Sequence, residues 1–199
     1  LADTLLPPQR FRQDLAQTGA EEVFALMDGC HLALVIRGDE GMETIAPPPI
    51  FLEEDLDAGE GAPWLGLIGS TTAVPEHDYL AGGLLTRVGM SGLLGPADLD
   101  SDSRIAFSEW SRYISDQVGV GSGPELVMVP PHGDWQTTVV DLSRSSARGI
   151  RLETTVPPGQ VRILESESHQ LVAEFLHHGT PPITVHLPPG NYDVILLGD

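Results

Sequence analysis

Apolar positions along the chain follow one rhythm up to about residue 118 and another beyond it. Phe11, Leu15, Val23, Phe24 and Met27 recur at helical spacing and predict a helix over Phe11–Met27, stopped by Asp28-Gly29. Thr18 followed by Glu21 reads as a capping box, so this stretch forms one helix or two short ones. His31–Ile36 (HLALVI) predicts a buried strand ended by Gly38-Asp39. Pro47-Pro48-Pro49 breaks regular structure, and Glu53–Glu60 is a charged, solvated loop. Trp64–Ile68 predicts a short strand. Pro75 with Glu76 and Asp78 opens a helix-like stretch to Leu94, but Gly82, Gly83, Gly89 and Gly92 each cost roughly 1 kcal/mol inside a helix. One or two loose helices are expected there. Phe107–Val118 is a firmer helix, with Trp110, Ile114 and Val118 in line and Gly119 closing it.

Beyond Gly119–Gly123, a junction that serves as a linker or a tight turn, the apolar runs shorten to strand length. They are Leu126–Val129, Thr137–Leu142, Ile150–Val156, Val161–Leu164, Leu171–His177, Ile183–Leu187 and Tyr192–Leu197. Pro157-Pro-Gly159 and Pro188-Pro-Gly190 punctuate them. The expectation is an α+β chain: a helix-rich N-terminal half (1–118) followed by an antiparallel β-sandwich-like C-terminal half (119–199), with one core or two.

Charge changes this picture more than composition does. Of 199 residues 29 are Asp or Glu and 10 are basic, all of them Arg, for a net charge of −19. Absence of Lys with abundant Gly and Pro fits a GC-rich bacterial genome. The acidic field opposes nucleic acid and anionic membranes and attracts cations and basic proteins. No apolar run reaches the ~20 residues of a membrane span, and Leu1–Leu15 shows no signal-peptide pattern. The single cysteine, Cys30, rules out an intrachain disulfide, fits a reducing cytoplasm and reads as an inert buried thiol.

One motif carries chemistry. Asp98-Leu-Asp-Ser-Asp-Ser-Arg-Ile-Ala-Phe-Ser-Glu109 places carboxylates at loop positions 1, 3, 5 and 12 and an apolar Ile105 at position 8. Ca²⁺ takes six to eight oxygens at about 2.3–2.6 Å, which a short loop supplies only if alternate side chains converge. The segment resembles the EF-hand family. That resemblance implies a calcium site made by Asp98, Asp100, Asp102, the Arg104 carbonyl and Glu109, with water standing in at Ala106. The loop departs from the family at Ser103, where Gly is usual because the backbone there takes φ > 0. Gly95-Pro96 stands where an incoming helix would finish, and no second loop is present.

Other chemistry is sparse. The seven histidines form no H-x-x-x-H pair, and there is no nucleophile elbow or Walker loop. His77-Asp78 and His132-Gly-Asp134 are weak acid–base pairs. His177-His178 is expected to be exposed at a strand end. An enzyme is therefore the minority reading. Gly159–Glu165 with Pro182–Val194 resembles the closing hairpin of small bacterial β-sandwich proteins, among them competence-J-like nuclease inhibitors and toxin-immunity proteins. That resemblance implies an acidic binding protein that occupies and inhibits a basic protein partner. A calcium-responsive single-loop module is the alternative.

Overall fold

The computed structural model describes residues 14–15, 17–27, 64–70, 83–118, 126–145 and 148–198. The expectations for Cys30, His31–Ile36, Pro47–Pro49, Glu53–Glu60 and His77-Asp78 lie outside them. The described residues fall into two compact units, one holding those up to 70 together with 126–134, the other 83–118 and 135–198.

In the first unit, β1 (Glu22–Met27) runs parallel to β2 (Trp64–Ser70), and β2 pairs antiparallel with β4 (Leu126–Val129). Central β2 is buried from Leu65 to Gly69, with Leu65, Leu67 and Ile68 in the core, while Trp64 at its start is exposed. The helix expected over Phe11–Met27 is corrected here, because its last six residues are strand. Thr18 does not start a helix. Its hydroxyl donates to the Leu15 carbonyl and accepts from the Ala20 N–H, and Gly19 turns the chain at φ +67. Val23, Phe24 and Met27 satisfy a helical period in so short a window, but pairing with β2 decides their conformation.

The second unit contains α1 (Leu84–Leu93), β3 (Arg104–Ala106), α2 (Phe107–Val118), β5 (Thr138–Asp141), β6 (Arg148–Leu152), β7 (Gly159–Glu165), β8 (Leu171–His177), β9 (Ile183–Leu187) and β10 (Tyr192–Leu197). These strands make three small sheets, ordered β10-β7-β8, β3-β5 and β6-β9. The helix-rich half followed by a sandwich is therefore not what forms. The described chain is mostly β, with two helices and ten strands in several small sheets. Of the two segments likened to a closing hairpin, Gly159–Glu165 (β7) pairs antiparallel with β10, which begins at Tyr192, while β9 pairs with β6. Pro188-Pro-Gly190 instead carries the chain between two sheets, and the Tyr192 hydroxyl closes that turn on the Pro188 carbonyl.

The helices pack closely because α1 is rich in glycine. A Cβ at Gly92 would stand 2.7 Å from the Tyr113 ring of α2. Trp110, 1% exposed, donates its indole N–H to the Gly89 carbonyl. The glycines that weaken α1 as an isolated helix are thus what lets α2 lie against it. Phe107, Trp110 and Ile114 turn inward, and so do Val161, Ile163, Ala173 and Phe175 of the three-stranded sheet.

Candidate metal centre

The acidic loop links α1 to α2 and is fixed at both ends. At its start Gly95, at φ +128, lies so near β9 that a Cβ would be 2.2 Å from the Thr184 carbonyl. The Leu94 carbonyl accepts from the His186 N–H. At its end Ile105 is fully buried in β3 opposite Val140 of β5. Between these anchors the loop folds on itself. Asp98 accepts from the Asp102 and Ser103 N–H groups at 3.1 Å each. Asp100 accepts from the Asp102 N–H, and Asp102 from the Arg104 N–H at 2.7 Å. Ser103 takes φ 69, the left-handed conformation expected at position 6, and Ser101 takes φ 64.

This folding brings Asp98, Asp100 and Asp102 together, each offering an oxygen within 4.8 Å of the others. Two oxygens on opposite sides of one Ca²⁺ stand about 5 Å apart, so the group can hold a metal ion. Burial pushes the Asp98 carboxyl above its ordinary value and the Asp102 charge adds to this, while N–H donors from Ser103 and Asp102 act the other way. A cation would favour the ionised form that burial disfavours.

Glu109 is held differently. Its Oε1 accepts from the N–H groups of Leu99 and Asp100 at 2.9 and 3.3 Å, and Oε2 from that of Ala106 at 2.9 Å. The last bond is the return half of a capping box at the start of α2. Glu109 thus ties helix to loop and does not join the three clustered aspartates. Arg104 opens β3, opposite Asp141.

Asp98, Ser101 and Ser103 also line a cavity of about 380 Å³ shared with Tyr113, Arg151 and His186. The Tyr113 side chain is 4% exposed, its hydroxyl has no partner among the described residues, and burial raises its pKa. Nothing in residue spacing signalled this cavity, because its walls come from the loop, α2, β6 and β9.

The histidines make no second centre among the described residues. His132 lies 3.7 Å from Glu22 and stacks on Trp64 with ring centroids 3.8 Å apart. His178 is exposed as expected, but His177 is fully buried, and neither ring nitrogen has a partner among the described residues. Strand alternation explains the difference, since His177 shares a face with Ala173 and Phe175. No helix among the described residues is long and apolar enough to cross a membrane. Comparison with protein-family models, curated proteins and solved structures finds no significant match.

Proposed function

We propose that the protein binds calcium through residues 98–109 and that the ion fixes the conformation of this loop. The observation carrying this reading is the convergence of Asp98, Asp100 and Asp102, without a basic side chain paired to any of them among the described residues. The Arg104 carbonyl and Glu109 complete the ligand set, with water at Ala106. Glu109 already accepts three N–H groups, two at Oε1 and one at Oε2, so Oε2 is the oxygen that retains a lone pair for a cation. Ser103 already holds the left-handed conformation of position 6 without the ion, so its strain lowers the stability of the loop and not its affinity.

Isothermal titration of the full chain with CaCl₂, beside Asp100→Asn, tests this. The variant keeps an acceptor for the Asp102 N–H and removes one charge. Wild type is expected to release or absorb heat and to gain about 2.7 kcal/mol of stability at a hundredfold excess of calcium over Kd. Asp100→Asn is expected to lose most of both. A wild-type titration without heat, and without a shift in unfolding midpoint, disposes of the calcium reading.

A second reading is favoured by the net charge of −19. The chain engages, and inhibits, a basic protein partner in the manner of an immunity protein. An acidic field steers such a partner, so the association rate should fall steeply with salt. A rate indifferent to salt would remove the basis for this reading.

A further inference from the structure

The two edges of the β10-β7-β8 sheet are treated differently. At the β8 edge the Leu176 N–H donates to Gln117 Oε1 at 2.6 Å, and its carbonyl accepts from Gln117 Nε2 at 3.2 Å. The Glu174 N–H donates to Ser91 Oγ at 3.0 Å. Side chains from α2 and α1 therefore occupy the places that a further strand would take.

The same bonds fix the direction of every other backbone group in the sheet, because alternate residues of an antiparallel ladder point to opposite sides. With Glu174 and Leu176 facing away from β7, Phe175 and His177 bond to Val161 and Gly159. Gln160 and Arg162 then turn the other way, to their partners Leu197 and Ile195 in β10. Val194 and Leu196 are left with their N–H and carbonyl groups directed to the outer edge of β10. Among the described residues no side chain or strand meets them there.

This open edge is also apolar. Val194, Ile195 and Leu197 are 43%, 39% and 38% exposed, three of the eight large apolar side chains exposed among the described residues. The strand has no proline, lysine or bulge, the usual devices that discourage strand addition. Its one charged residue is Asp193, and Tyr192 pairs with Glu165. Charge decides the occupant. A second copy would bring another 19 negative charges and is repelled, whereas a cationic strand is attracted.

We infer that the outer edge of β10 accepts an extended segment of a basic protein, in which apolar residues alternate with Arg or Lys, as an added β-strand hydrogen-bonded to Val194 and Leu196. This rests on the reading that the partner is basic, and it names the surface that would meet it.

A short peptide alternating arginine and valine is the probe, titrated by fluorescence anisotropy against the full chain. It is compared with a copy N-methylated at alternate amides and with a copy carrying glutamate for arginine. Val194→Pro removes only an outward N–H, which an edge strand tolerates. The arginine peptide is expected to bind, and either N-methylation or Val194→Pro to weaken it about tenfold. Equal binding of the N-methylated copy, equal binding by a folded Val194→Pro, or no binding at all overturns the inference. The first two of these leave the basic-partner reading standing. Equal binding of the glutamate copy instead removes the basic occupant while keeping the edge. Sedimentation showing a dimer that Val194→Pro dissolves would give the edge to a second copy and also overturn the inference. If Val194→Pro does not fold, the N-methylated peptide against wild type decides.

Discussion

Two groups of carboxylates in the second unit are held in opposite ways. Glu174, 6% exposed in β8, accepts from Gln160 and from the Arg162 guanidinium at 2.8 and 2.7 Å, while its other oxygen meets Arg87 at 2.9 Å. Two of the ten arginines in the chain thus converge on one acid. Among the described residues, Asp98, Asp100 and Asp102 accept only from backbone N–H groups. Neutral donors orient a carboxylate but leave its charge in place. At separations of 4.8 Å or less, each pair of charges repels by at least about 1 kcal/mol in water and about 3.5 kcal/mol at an effective dielectric of 20. An acid wired to arginine is a fastener of the fold. Acids gathered without a counter-charge form a place that a mobile cation can fill.

The sharpest break in this contrast comes from Glu174→Ala. It removes the carboxylate that meets Arg87, 15% exposed, and Arg162, which is 44% exposed. Breaking a fully buried pair costs about 3–5 kcal/mol, and the accessibility of Arg162 places this loss near about 3 kcal/mol. Urea unfolding should show it, and calcium should stabilise the variant by the same increment as wild type. A loss under about 1 kcal/mol would mean that Glu174 behaves as a surface acid, and the distinction between the two groups would collapse.

How much of this was legible depends on the range of the interaction. The bounds of α2, β8, β9 and β10 coincide with the apolar runs read from sequence, because Gly and Pro end those runs locally. The carboxylate spacing of the loop was legible for the same reason. Pairing was not. Nothing near Ile183 announces that β9 joins β6. Val23, Phe24 and Met27 read as helix because their partner β2 is remote in sequence. Gly92 looked like a defect in α1 until the ring of Tyr113 stood against it. Glu109 looked like a ligand alone, and only the folded loop shows it bonded to Leu99, Asp100 and Ala106.

A smaller effect tests whether backbone strain accompanies the unneutralised acids. Ser103 at φ 69 occupies a region that costs a non-glycine residue about 1–2 kcal/mol. Ser103→Gly relieves this but adds freedom to the unfolded chain, for a net gain of about 0.5–1 kcal/mol. Ser103→Ala, which retains a Cβ, should bring no gain. The increment should appear in the urea midpoint with or without calcium. Equal midpoints for Gly and Ala at this position would show that the N–H bond to Asp98 already compensates the strain.

The smallest effect is in pH, and its sign separates two aspartates near the same strand pair. Asp98 has its pKa raised above 3.8 by burial first and the Asp102 charge second. The folded chain therefore holds that proton more tightly than the unfolded chain. Stability contributed at this site is greatest below the ordinary value and declines as pH rises through the raised one. Asp141 has its pKa lowered, first by the Ser143 hydroxyl and then, against a smaller burial effect, by Arg144. Its contribution is present above the ordinary value and is lost as pH falls through the lowered one. Urea midpoints across the acid range should therefore slope oppositely when each is replaced by Asn and subtracted from wild type. Calcium bound at the cluster would hold Asp98 ionised, and should then flatten or reverse the first slope and leave the second unchanged. A calcium-sensitive slope at Asp141, or none at Asp98, would mean that the ion acts elsewhere than on the clustered acids.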